Sequence, residues 1–148
     1  MPPPSQWRSW EFWRSYIGPE RIYDLLYDIH LEQENFAPYA DAAPFLASLK
    51  EAGFYIIVAS HRRPGTLGAT ESWLQKNGLV YDQVHLSYDK TVLFTECWGI
   101  VDDSPVTLEK AKMAGIVRTG LVNPWNEQED HPLFDSLTQI LSYLLEQM

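Results

Sequence analysis

Trp98-Gly99-Ile100-Val101-Asp102-Asp103-Ser104-Pro105 decides how this chain is read, because two adjacent carboxylates stand where an apolar strand stops and a helix begins. In open α/β sheets ligands collect at the carboxyl ends of strands. A hard cation such as Mg²⁺ is held there by one or two carboxylates, waters and a substrate phosphate. Asp at a helix start also serves a local purpose, accepting backbone N–H groups and complementing the helix dipole. On this stretch alone both readings, cation ligand and helix cap, stand open.

Strand and helix alternate on either side of it. Upstream, the pattern predicts a helix over 43–52 closed by Gly53, then the unbroken apolar run Phe54-Tyr55-Ile56-Ile57-Val58-Ala59, which suits a strand buried on both faces. A helix over 70–77 ends at Asn77-Gly78, and Gln83-Val84-His85-Leu86-Ser87 reads as a short strand. Downstream, Ser104 is a good N-cap with Pro105 behind it, the helix runs to Gly115, and a further strand covers 116–122. Leu133, Leu137, Ile140, Leu141, Leu144 and Leu145 describe a terminal amphipathic helix. This order implies an α/β fold, a parallel sheet covered by helices.

Before Pro38 the pattern is purely helical. Ser5 to Tyr16 carries Trp7, Trp10 and Trp13 as one stripe, Gly18-Pro19 breaks the chain, and Ile22, Leu25, Leu26 and Ile29 mark one face of a second helix. The chain is therefore divided into a helical segment, 1–38, and an α/β core, 39–148. The aromatic stripe, Trp13 included, suits either stacking on a planar substrate or packing on a neighbouring helix. Tyr23 and Tyr27 share that ambiguity.

Composition narrows the function. A length of 148 residues with 45% hydrophobic content makes one domain of ordinary core size. A net charge of −9, with 11 Lys and Arg that form no basic face, argues against a nucleic-acid polymer as partner. Cys97 is the only cysteine, so disulfides play no part and a reducing, cytoplasmic setting is expected. No apolar run approaches the roughly 18 residues of a membrane span, and Met1-Pro2-Pro3-Pro4 lacks the pattern of a signal peptide.

Polar groups mark the ends of three strands. Ser60 closes the first, where its hydroxyl suits either a phosphoryl oxygen or its own turn, and His61-Arg62-Arg63 adds local positive charge to an acidic chain. Lys90 follows the second strand as a point charge for a phosphate or a partner for Asp89. Asp102 and Asp103 end the third.

In that order Ser60, Lys90 and Asp102-Asp103 resemble the second, third and fourth motifs of the haloacid dehalogenase-like (HAD-like) phosphohydrolase superfamily, over about 38–125. Asp89-Lys90-Thr91-Val92, the Phe12-Trp13 pair and Asn123-Pro124-Trp125-Asn126 look like its 5'(3')-deoxyribonucleotidase-like branch. The resemblance implies a Rossmannoid three-layer sandwich with an N-terminal helical cap. It also implies Mg²⁺-dependent hydrolysis of a small phosphorylated molecule, a nucleotide among the candidates. Ser60 would orient a phosphoryl oxygen, Lys90 would hold the phosphate, and Asp102 would be the main metal ligand, supported by Asp103. His61 and Arg62, beside Ser60, are candidate substrate contacts, as is Trp13.

One element of the pattern is absent. The superfamily's nucleophile lies in Asp-x-Asp at the end of a central strand, and no Asp-x-Asp occurs here. Without that strand, the strands ending at Ser60 and Asp102 must either pair directly or keep unpaired edges that invite association, a homodimer for instance. The expectation is a chain that begins after the nucleophile strand of a phosphatase, inactive as it stands and with weak or no Mg²⁺ affinity. A non-catalytic HAD-like binding module is the rival reading. A receiver- or flavodoxin-like domain ranks third, since receivers place their acids early and their Lys late.

Overall fold

A computed structural model describes residues 1–148, which fall into two compact units, 19–90 and 1–18 with 91–148. In the first, helices α1 (Pro19–Leu31), α2 (Ala42–Glu51) and α3 (Leu67–Lys76) accompany strands β1 (Ile57–Ser60) and β2 (Gln83–Leu86). The strands pair in parallel, Ile57 opposite Gln83 and Ser60 opposite Leu86. Both helix-to-strand connections use one device. Gly53 and Gly78 take positive φ, 90° and 65°, and the following N–H reaches back into the last helical turn, Phe54 to Leu49 O and Leu79 to Leu74 O. A side chain would be strained at either position. The closures bury Leu49, Leu74 and Leu79, which with Phe45 and Ile56 form the core of this unit.

Asp82 then sets where β1 begins. Its carboxylate accepts the Ile56 N–H at 2.6 Å and the Lys50 ammonium at 2.7 and 2.8 Å, and these two donors, Ile56 first, hold it below the usual carboxylate range. β1 is accordingly shorter than the apolar run predicts. Phe54 is engaged in closing α2, and Tyr55 is exposed.

In the second unit, β3 (Gly99–Val101), β4 (Val117–Leu121) and β5 (Leu133–Phe134) form a parallel sheet in that order, with α4 (Pro105–Met113) and α5 (Leu137–Glu146). Leu108 and Ala111 of α4 and Ile140 of α5 are fully buried. Ser104 caps α4, accepting from Thr107 N, and Pro105 follows as predicted. Leu133, read as the start of the terminal helix, belongs instead to β5, and Ser136 caps α5.

The Ser5 to Tyr16 segment departs most from expectation. It forms two 3₁₀ turns, Pro4–Gln6 and Phe12–Ser15, rather than one helix. Trp7 stacks on Phe12 with ring centroids 4.0 Å apart and tilts against Trp125 at 5.8 Å. Residues five apart diverge by about 140° around an α-helix, so this stacking and a continuous helix exclude each other.

The general α/β class is as read from the sequence, with the strands divided between two small parallel sheets. β1 has β2 as its strand partner and β3 has β4, so each keeps one edge unpaired. Neither is buried on both faces: every residue of β1 is half-buried, and Val101 at the end of β3 is exposed.

Candidate functional site

At the carboxyl end of β1 the chain turns sharply, Arg62 N bonding Ser60 O, and enters α3 through a 3₁₀ turn at Pro64–Thr66. Buried Thr66 and Thr70 anchor the loop, since the Thr66 hydroxyl donates to Arg63 O and the Thr70 hydroxyl accepts Arg62 Nη1 at 3.1 Å. The Ser60 carbonyl also accepts Ser87 N, which draws the loop after β2 alongside.

These loops and α1 line a small groove open to solvent. α1 contributes Tyr23, Leu26, Tyr27 and His30, positions i, i+3, i+4 and i+7 of one helical face. The loop after β1 contributes His61, Arg62 and Arg63, and the loop after β2 contributes Tyr88. Arg63 ties the three together: Nη2 meets Asp24 at 2.7 Å, Nε donates to the Tyr88 hydroxyl at 3.3 Å, and the guanidinium lies 5.2 Å over the Tyr27 ring. The His61 ring packs edge-on against Tyr88 at 4.8 Å and near-parallel to Tyr23 at 6.2 Å.

Arg62 differs from Arg63. Its one hydrogen bond goes to Thr70, and its Nε is buried with no partner. Burial lowers its pKa from the ordinary arginine value, the mark of a cation short of water and of counter-charge. His30 is pushed down to about 4 by burial first, then by Arg62 and His61, so it is neutral at physiological pH.

The acid pair, in the other unit, is bound into its surroundings. Asp102 Oδ1 accepts Ser104 N at 2.8 Å, an Asx turn leading into the Ser104 cap rather than a cap itself, while its backbone N–H continues the β3–β4 ladder to Thr119 O. The Asp103 carbonyl accepts Trp125 Nε1 and Asn126 Nδ2. Asn126 is fully buried and also bonds Leu121 O and Asn123 N, clamping the end of β4 to the turn after β3. No group of three or more His, Cys, Asp or Glu side chains is gathered that would hold a metal ion.

No family model matches the chain, no curated protein matches it, and no solved structure matches it.

Of the residues singled out by sequence, Ser60, His61 and Arg62 lie together at the end of β1, and Lys90 opens a 3₁₀ turn four residues after β2. Trp13 lies in the other unit, in the second 3₁₀ turn, with the Arg14 guanidinium 5.1 Å over its ring. Cys97 is half-buried, and burial followed by Glu96 raises its pKa, which keeps it a thiol. Sequence reading passed over His30, Tyr88 and the Asn126 clamp. The Tyr23-Leu26-Tyr27-His30 spacing was the available signal. It was masked by the more apolar Ile22-Leu25-Leu26-Ile29 face, of which Leu25 and Ile29 prove exposed. No helix is long and apolar enough to cross a membrane.

Proposed function

We propose that this chain recognises the phosphoryl group of a small phosphorylated molecule, a nucleotide among the candidates, in the manner of HAD-like phosphohydrolases, and that residues 1–148 do not themselves turn it over. The reading is carried by one observation: Ser60, Lys90 and Asp102 follow β1, β2 and β3 in the HAD-like order. Ser60 would donate to a phosphoryl oxygen and Lys90 would supply charge.

Asp102 and Asp103 are the carboxylates of this chain that would hold Mg²⁺, with waters and phosphoryl oxygens completing its octahedron. One Asp102 oxygen already accepts a backbone N–H and no third acidic or His side chain joins the pair, so weak affinity is expected and no catalytic step is assigned to a metal in this chain.

Two measurements test the reading. Incubated with a panel of phosphate monoesters and Mg²⁺, the chain should release no phosphate above background; clear Mg²⁺-dependent turnover would reveal an overlooked nucleophile. In titrations with inorganic phosphate, Ser60→Ala and Lys90→Met should each weaken binding about tenfold, the worth of one hydrogen bond to a charged group. Unchanged affinity in both variants would end the proposal.

A further inference from the structure

We infer that the groove between α1 and the loops after β1 and β2 is a metal-independent site for a tetrahedral oxyanion, held by Arg62, His30 and His61, and that the anion enters with a proton taken up by His30. The inference goes beyond the phosphohydrolase-like reading and requires neither Ser60, Lys90 nor the acid pair.

Charge contrast is the first argument. The chain carries a net charge of −9, yet the groove is lined by two arginines and two histidines and by no Asp or Glu. The nearby carboxylate of Asp24 is bound to Arg63 at the rim, which leaves Arg62 without a carboxylate. Burying a cation and one of its N–H donors unpaired costs free energy that an anion would recover. A guanidinium with a free Nε–H is also the group best matched to two oxygens of a sulfate or phosphoryl group.

His30 supplies the second argument. It is faced by Arg62 and His61 from the loop after β1, with Arg63 and Tyr88 beyond them and Tyr23 and Tyr27 on its own helix. Its low pKa, about 4, reflects burial and two like-charged neighbours. A doubly charged anion placed among these groups reverses the Coulombic part and raises that pKa toward the ordinary imidazole value. Linkage fixes the sign: the complex binds more protons than the free protein between the two pKa values. Affinity therefore rises as pH falls from neutrality toward about 4.

Calorimetric titration of the full chain with sulfate in the presence of EDTA is the test, because sulfate keeps its double charge throughout this range while phosphate does not. Saturable binding is expected, tighter by about threefold or more at pH near 5 than at neutrality. Arg62→Met should weaken it at least tenfold, or about 1.4 kcal/mol. His30→Gln should remove most of the pH gain, leaving an affinity nearly the same at pH near 5 as at neutrality. By NMR, the His30 titration midpoint should move upward from about 4 when sulfate is saturating. If Arg62→Met folds poorly, Arg62→Lys keeps the charge, removes the Nε–H and should still lose affinity.

Absence of saturable binding, full affinity in the Arg62 variants, or a His30 midpoint indifferent to sulfate would each overturn the inference. Loss of binding on Arg62→Met with no response to Ser60→Ala or Lys90→Met would keep it and end the phosphohydrolase-like reading. The opposite pattern would do the reverse.

Discussion

The turn after β1 and the turn after β3 occupy equivalent topological places, each where a parallel strand hands over to a helix, yet their polar groups are disposed of in opposite ways. After β3, Asp102 accepts the N–H of the capping Ser104, the Asp103 carbonyl takes two side-chain donors, and Asn126 bonds through both its oxygen and its nitrogen. After β1, Arg62 keeps a buried donor with no acceptor, and His30 is held neutral by burial first and then by Arg62 and His61. A charged residue at a strand end is thus no indication of a site by itself. What marks a site is a polar group whose local bonds leave it unsatisfied.

The largest expected effect tests how rigid the satisfied turn is. Gly120 lies where a Cβ would fall on the carbonyl oxygen of Asp102. Gly120→Ala must push β3 from β4 just where the acid pair begins, and backbone cannot yield as a flexible side chain can. A loss of about 3 kcal/mol in urea unfolding is expected, the upper range of overpacking. A cost under about 1 kcal/mol would show this turn to be soft and the contrast with the β1 turn overstated.

The unsatisfied turn should respond with the opposite sign. Arg62→Met replaces a half-buried cation by an apolar side chain of similar length, removing both the uncompensated charge and the orphan N–H. The Thr70 hydroxyl keeps its bond to Thr66 O. Stability of the free protein should stay level or rise by up to about 1 kcal/mol while anion binding is lost, the trade of stability against function expected of a site. A loss of about 1 kcal/mol or more would make Arg62 a structural strut, no different in kind from Asn126.

What could be read from the sequence follows the reach of the forces involved. The Ser104-Pro105 start of α4 and the glycine ends of α2 and α3 are settled within a few residues, and they stand where local chemistry places them. The Trp7 segment is shaped by Phe12 and by Trp125, near the other end of the chain, so its helical spacing misled. β5 pairs only two residues, too few to leave a pattern. In the site, Ser60, His61 and Arg62 are contiguous and announce themselves after an apolar run. His30 and Tyr88 join them through α1 and the loop after β2, an arrangement with no local signature.

Asp102→Asn carries the smallest expected effect and separates the two readings of the acid pair. The amide oxygen of Asn can accept Ser104 N as Asp102 Oδ1 does, so the turn into the Ser104 cap persists and the attraction between a carboxylate and the α4 N-terminus is lost, about 0.5 kcal/mol. Asp102→Ala removes the acceptor as well and should cost about 1 kcal/mol. A cation site would order these variants differently, since Asn and Ala would both abolish a Mg²⁺-dependent rise in Tm. The cap reading expects the wild-type melt to be indifferent to Mg²⁺ and the Asn variant to resemble it. A melt that rises with Mg²⁺ and loses that rise in Asp102→Asn would place a cation on the acid pair, making the β3 turn a second site and removing the contrast with the β1 turn.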